Sequence, residues 1–179
     1  LMVASFAGPV GAAVWDANGG VGGNWNVPAN WNPDAVPNSA DDASLDVSGA
    51  SSEASPVVID APAVANNFVL SYGNSAYIEI NADLTLAGSW NRTGGKVEAI
   101  ATHNTGTVSM AGDFGLNPSK SSPHTRYIMT SDTAVLNVGG EMTLSRNDTG
   151  TDDRFVQHAG TVTIGGDLGN ASGGSTYMG

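Results

Sequence analysis

Apolar and polar residues alternate along this chain in short runs, and one such run recurs. Aligned on an acidic residue, AYIEINADL (76–84), GTVSMAGDF (106–114), AVLNVGGEM (134–142) and GTVTIGGDL (160–168) share one pattern. Five positions before the acid stand Ile78, Val108, Leu136 and Val162, and three before it stand Ile80, Met110, Val138 and Ile164. The residues between them, Glu79, Ser109, Asn137 and Thr163, are polar. That is the period of two of a strand with one buried face. A small residue (Ala82, Gly112, Gly140 or Gly166) then precedes the acid, and an apolar run resumes at Leu84, Phe114, Met142 and Leu168. The acids Asp83, Asp113, Glu141 and Asp167 stand 30, 28 and 26 residues apart, and a period of that size marks a repeat architecture.

A second apolar run precedes each copy, at 68–70, Val97, 127–128 and 155–156, and a third follows it. No stretch carries the 3.6-residue period of an amphipathic helix. Three short strands per repeat without crossover helices can close only by coiling, so that each strand pairs with its counterpart one coil along. The chain is therefore expected to be all-β, a parallel, right-handed β-solenoid of about five coils spaced about 4.8 Å apart. An antiparallel sandwich also needs many short strands, but it does not require like residues at like positions in every repeat. In this register Ile78, Val108, Leu136 and Val162 form one inward stack, and Ile80, Met110, Val138 and Ile164 a second.

The pattern divides the chain into three parts. Residues 1–13 (LMVASFAGPVGAA) are apolar and small, resemble the tail of a secretory signal peptide, and imply export. They are too short and too interrupted by Gly8, Pro9 and Gly11 for a membrane span. Residues 14–43 carry Trp15, Trp25 and Trp31 among Gly, Asn and Pro, without periodicity, and are expected to cap the first coil. Residues 44–179 are the coils, the first of them (44–67) less regular than the rest.

Composition narrows the function classes. The net charge is −11, which argues against nucleic-acid and anionic-membrane partners. The charge is uneven: the first basic residue is Arg92, so the N-terminal half is far more acidic than the C-terminal half. Without cysteine there are no disulfides and no thiolate metal sites.

Four groups of residues are candidates for chemistry. The aligned acids Asp83, Asp113, Glu141 and Asp167 would form a ladder, each capping the amides of its own corner or, together, holding Ca²⁺. Asp41, Asp42 and Asp46 are a second acidic group able to supply oxygen ligands, although their spacing fits no known calcium loop. Trp15, Trp25 and Trp31 are expected to form a lid over the first coil, with a carbohydrate-stacking platform as the alternative use of the same rings. Arg126 and Arg154 precede equivalent aromatic residues in successive coils, an arrangement that a polysaccharide lyase could use. His103, His124 and His158 fall at different points of the coil, and no nucleophile–base or paired-carboxylate spacing emerges, so no enzyme is expected.

Trp15, Asp16, Asn24, Trp25, Asn30, Trp31, Val36, Pro37, Asp41 (or Asp42) and Ala43 follow the order W-D-x-x-G-G-x-G-x-N-W, N-W, V-P, D-x-A. In that order they resemble the start of secreted bacterial β-helix surface proteins, of the autotransporter-associated β-strand-repeat, PEP-CTERM and planctomycete types. The resemblance runs on through 55–70 and the repeats. It implies a β-helix outside the cell and supplies no catalytic signature. The expected function is that of an extracellular structural protein assembling head to tail into a filament, sheath or surface layer. Leu1, Met2, Val3, Phe6 and Val10 at one end, and Tyr177 and Met178 at the other, are the expected contacts. The alternative is an adhesin or polysaccharide-binding module using the tryptophans.

Overall fold

The computed structural model describes residues 11–16, 22–45, 51–70, 74–93, 98–117, 125–144 and 154–169. Apart from one 3-10 turn at Pro28–Asn30, their regular structure is all strand. The strands form three sheets, of six, five and eight strands. Sheets 1, 2 and 3 are numbered here in the order in which a coil visits them.

Five coils contribute one strand to each sheet in turn. The first runs Val57–Ile59, Ala63–Ala65, Phe68–Val69, and the second Ala76–Ile80, Leu84–Leu86, Trp90–Thr93. The third runs Ala99–His103, Gly106–Met110, Phe114–Asn117, and the fourth Thr125–Met129, Ala134–Val138, Met142–Leu144. The fifth is Arg154–Gln157, Thr161–Ile164, Leu168–Gly169. Every pairing between successive coils is parallel, as a solenoid requires. Before the first coil, Gly23–Asn24 extends sheet 1, while Asp42–Ser44, Ala12–Trp15 and Trp31–Asn32 extend sheet 3. Trp31–Asn32 pairs antiparallel with Ala12–Trp15.

Alternation sets the inside and the outside. In Ala76–Ile80, Ala99–His103, Thr125–Met129 and Ala134–Val138, every second residue is buried. Sheet 2 stacks Leu84, Val108, Leu136 and Val162 in one inward column, and Leu86, Met110, Val138 and Ile164 in the next. The expected stacks hold from Val108 onward, but Ile78 and Ile80 do not belong to them. They lie in sheet 1, where Ile78 pairs with Ala101 and Ile80 with His103. The first copy of the repeat was displaced by one strand because it was aligned on Asp83. An apolar pair two residues apart looks the same on any of the three faces.

Aromatic rings fill the middle of the interior. Trp15 contacts Trp31 (5.0 Å between centroids), Trp31 contacts Trp25 (4.6 Å), and Trp25 contacts Phe68 (5.6 Å). The series continues through Phe68–Trp90 (4.5 Å) and Trp90–Tyr127 (5.5 Å) to Tyr127–Phe155, stacked at 5.7 Å. Trp90 and Tyr127 belong to coils two and four, and between them in the sheet 1 column stands Ala101, whose small side chain leaves room for the contact. Most of these contacts are edge-on, the geometry that aromatic quadrupoles favour.

At the corner after sheet 2 the backbones of successive coils come close together. A Cβ on Gly139 would lie 2.6 Å from the Ala111 carbonyl oxygen, and one on Gly165 2.6 Å from that of Gly139. That proximity is the reason for the small residues at this corner.

Leu136 is fully buried in mid-solenoid, so Leu136→Ala should lower stability by about 2–5 kcal/mol. Ala101→Leu should cost about 1–3 kcal/mol by overfilling the space shared by Trp90 and Tyr127. Chemical denaturation of both variants checks this, and a neutral Ala101→Leu would remove the space-sharing account.

Candidate functional site

The acids lie at the corner leading into sheet 3. From Asp42–Ser44 onward, the residue just before the first inward residue of each sheet 3 strand is Asp42, Asn67, Ser89, Asp113, Glu141 or Asp167 in successive turns of the chain. Each of the first four accepts a hydrogen bond from the backbone N–H of its counterpart one coil on. Asp42 Oδ1 accepts from Asn67 N (3.2 Å), and Asn67 Oδ1 from Ser89 N (2.8 Å). Ser89 Oγ accepts from Asp113 N (2.9 Å), and Asp113 Oδ1 from Glu141 N (2.8 Å). Glu141 breaks the series: its longer side chain turns aside to accept from Thr143 Oγ1 (3.0 Å) and lies against Gly169. That turn takes its carboxylate out of line with Asp113, which would otherwise be costly for like charges one strand spacing apart.

Two expectations change here. Asp113 caps the corner of the next coil, and Glu141 caps no backbone N–H but accepts from Thr143. Asp83 stands outside the ladder: it precedes a sheet 2 strand, and its Oδ1 accepts from Thr107 N (2.8 Å). Sequence reasoning missed Asp42, Asn67 and Ser89 as equivalents of Asp113, because the position requires an acceptor oxygen and not a carboxylate. The available signal was the residue before each buried Ala43, Phe68, Trp90 or Phe114.

A second ladder, of neutral groups, links the corner between sheets 1 and 2. Asn104 Nδ2 donates to Asn81 Oδ1 (2.9 Å), and Thr130 Oγ1 to Asn104 Oδ1 (2.8 Å). Upstream, Asn24 Nδ2 donates to Asp60 Oδ1.

Of the second acidic group, Asp41 accepts from the backbone (3.1 Å) and side chain of Asn38. Asp42 accepts from Asn66 Nδ2 and Asn67 Nδ2, both at 2.8 Å. Asp46 lies outside the described residues, as do Leu1, Met2, Val3, Phe6, Val10, Tyr177 and Met178. No cluster of three or more His, Asp or Glu side chains able to hold a metal occurs among the described residues.

Trp15, Trp25 and Trp31 are completely buried. Trp31 Nε1 donates to the Trp25 carbonyl (2.7 Å), which ties the cluster to its own backbone. The tryptophans thus present no ring face for a sugar to stack on, and the carbohydrate platform expected as the alternative is not formed by them.

Arg126 lies on the outer side of sheet 1, across from the Arg154 backbone, beside a shallow cavity of about 240 Å³ that Glu53, Tyr77 and Glu79 also line. Tyr77 donates from its hydroxyl to Glu98 Oε2 (2.5 Å), and burial together with that carboxylate pushes the phenol up to about 12. His103 is on the inner side of the same sheet, fully buried, and His158 is at an exposed corner. His124 lies outside the described residues. The described residues therefore bring no histidine to Arg126.

His103 is held as a neutral imidazole. Its Nε2–H donates to the Gly106 carbonyl (3.0 Å), and its Nδ1 accepts from the Tyr127 hydroxyl (3.0 Å). Burial keeps the imidazole below its ordinary value near 6.5, outweighing the contact with Gly106. Burial also pushes the Tyr127 phenol well up.

Two tests follow from these contacts. Asp113→Ala should cost about 1 kcal/mol by leaving Glu141 N–H without its acceptor, whereas Asp113→Asn should cost less, since Asn67 performs the same task. Equal losses in both would show that the charge, not the acceptor, matters. Because the His103 value is lowered on folding, its contribution to stability is complete above about pH 6.5 and is lost as pH falls below that. His103→Gln should therefore flatten the Tm profile between about pH 7.5 and pH 5.5. Parallel profiles for wild type and variant would remove His103 as the cause.

No helix among the described residues is long and apolar enough to cross a membrane. Comparison with family profiles, with curated proteins and with solved structures finds no match to this chain.

Proposed function

We propose that this chain is an extracellular structural protein whose copies join head to tail, coil on coil. One observation carries the reading: sheet 2 has an unpaired edge at both ends among the described residues. Ala63–Ala65 pairs only with Leu84–Leu86, and Thr161–Ile164 only with Ala134–Val138. Both edges belong to one sheet and run in the same direction, so a second copy stacked end on end would satisfy both with the pairing already used between coils. Such a contact is heterologous and propagates.

The inward columns support the same reading. Leu84, Val108 and Leu136 are fully buried, while Val162 and Ile164 at the end of their columns are only half-buried and Leu168 is 42% exposed. The likeness of residues 15–43 to secreted β-helix surface proteins, and the signal-like residues 1–13, favour a place outside the cell. The apolar sequence of residues 1–10, ahead of the paired strand Ala12–Trp15, suits a segment donated to a neighbouring edge, in the manner of donor-strand complementation.

Negative-stain imaging and sedimentation of the purified chain test the proposal. Filaments of uniform width, lost or shortened on deletion of residues 1–10, which leaves the paired strand Ala12–Trp15 intact, are the expected result. A monodisperse monomer at all concentrations overturns the assembly, and unchanged filaments after the deletion overturn the donor role of that segment.

A further inference from the structure

The three sheets differ on their outer sides. Outward residues of sheet 2 are mostly short and polar, as in the column Val64, Thr85, Ser109, Asn137 and Thr163, of which only Val64 is apolar. Those of sheet 3 include Ser44, Asn91 and Thr143 beside the acid ladder. Sheet 1 is different. Its outward positions carry Val58, Ile100, Ile128 and Val156, with Tyr77 beside them, and all five are partly exposed. A parallel sheet that is apolar on both sides is ordinarily covered on both.

Charge on this face is graded along the solenoid axis. Glu53 stands just ahead of the first-coil strand Val57–Ile59 and Glu79 in the second coil, Glu98 reaches back from the start of the third to the Tyr77 hydroxyl, and Arg126 sits at the fourth. In the fifth coil the position paired with Arg126 is another arginine, Arg154. The third coil lies midway, and its outward strand residues Ile100 and Thr102 are uncharged. The cavity of about 240 Å³ spans this same stretch, between the acidic and basic ends.

We infer that the outer face of sheet 1 is a docking surface for a second copy of this chain, packed face to face with its coils running the opposite way. Parallel packing would set glutamates on glutamates and arginines on arginines. Antiparallel packing turns the gradient into complementarity twice over, once on each side of a two-fold axis through the third coil. Glu79 of each copy then comes within reach of Arg126 of the other, and Ile100 meets its own counterpart at the axis. The face measures about 24 Å by about 16 Å, from five strands and about five residues. That is about half of what a standard stable interface buries on each partner, so the pairing is weak in the isolated chain. It does not depend on head-to-tail assembly.

Because the chain has no cysteine, single substitutions report on the contact directly. Ile100→Cys, at the axis, should form a disulfide-linked dimer under mild oxidation. Ser109→Cys on sheet 2 and Thr143→Cys on sheet 3 should not. In sedimentation, Arg126→Glu and Glu79→Arg should each weaken self-association by at least tenfold, while their equimolar mixture should restore it, since both cross-axis pairs are then of opposite sign. Circular dichroism confirms that each variant is folded. Equal cross-linking at all three cysteine positions overturns the inference. So does a mixture that associates no better than its components, or an Ile100→Cys variant that stays monomeric because another segment of the chain covers the face.

Discussion

Backbone hydrogen bonding between coils, in one register maintained through three sheets, is the constraint on which the rest of this molecule depends. A slip of one residue in any strand would turn Val108, Leu136 or Tyr127 outward and bring Ser109, Asn137 or Arg126 into the core. The two corner ladders act on that register. Apart from Glu141, their acceptors reach the next coil, so each corner positions its successor. The glycines after sheet 2 serve the same end, because the backbones there approach too closely for a Cβ.

Alternation made the strands, the repeat and the inward columns from Val108 onward legible in the sequence. It could not say which face a strand joins. Ile78/Ile80 and Leu84/Leu86 are equivalent by pattern, and only the pairing separates them. The ladder was half-legible: Asp113, Glu141 and Asp167 were aligned, but Asn67 and Ser89 do the same work with different chemistry. The tryptophans were ambiguous for another reason. Trp in a Gly- and Asn-rich segment suits a core and a binding surface alike, and what decides between them is burial against Phe68, a long-range contact.

The acidic character of the chain is compatible with this stacking because the acids are kept outside and engaged. Asp42, Asp83 and Asp113 each accept a backbone N–H, so each carboxylate has a donor of the next coil beside it. In the stretch from Asp42 to Asp113, two uncharged acceptors separate the carboxylates. Only toward the C-terminal end do Asp113, Glu141 and Asp167 follow one another, and there Glu141 turns aside.

The aromatic series is not uniform along the axis. All four tryptophans, Trp15, Trp25, Trp31 and Trp90, lie at or before the second coil, while the aromatic interior of the last two coils is Tyr127 and Phe155. Indole emission from this protein therefore reports on the turns up to the contact of Trp90 with Tyr127, and not on the fifth coil. Fraying that begins at the fifth coil would leave that emission unchanged while altering the tyrosine signal. A mismatch between the two during melting would thus reveal from which end the solenoid unwinds.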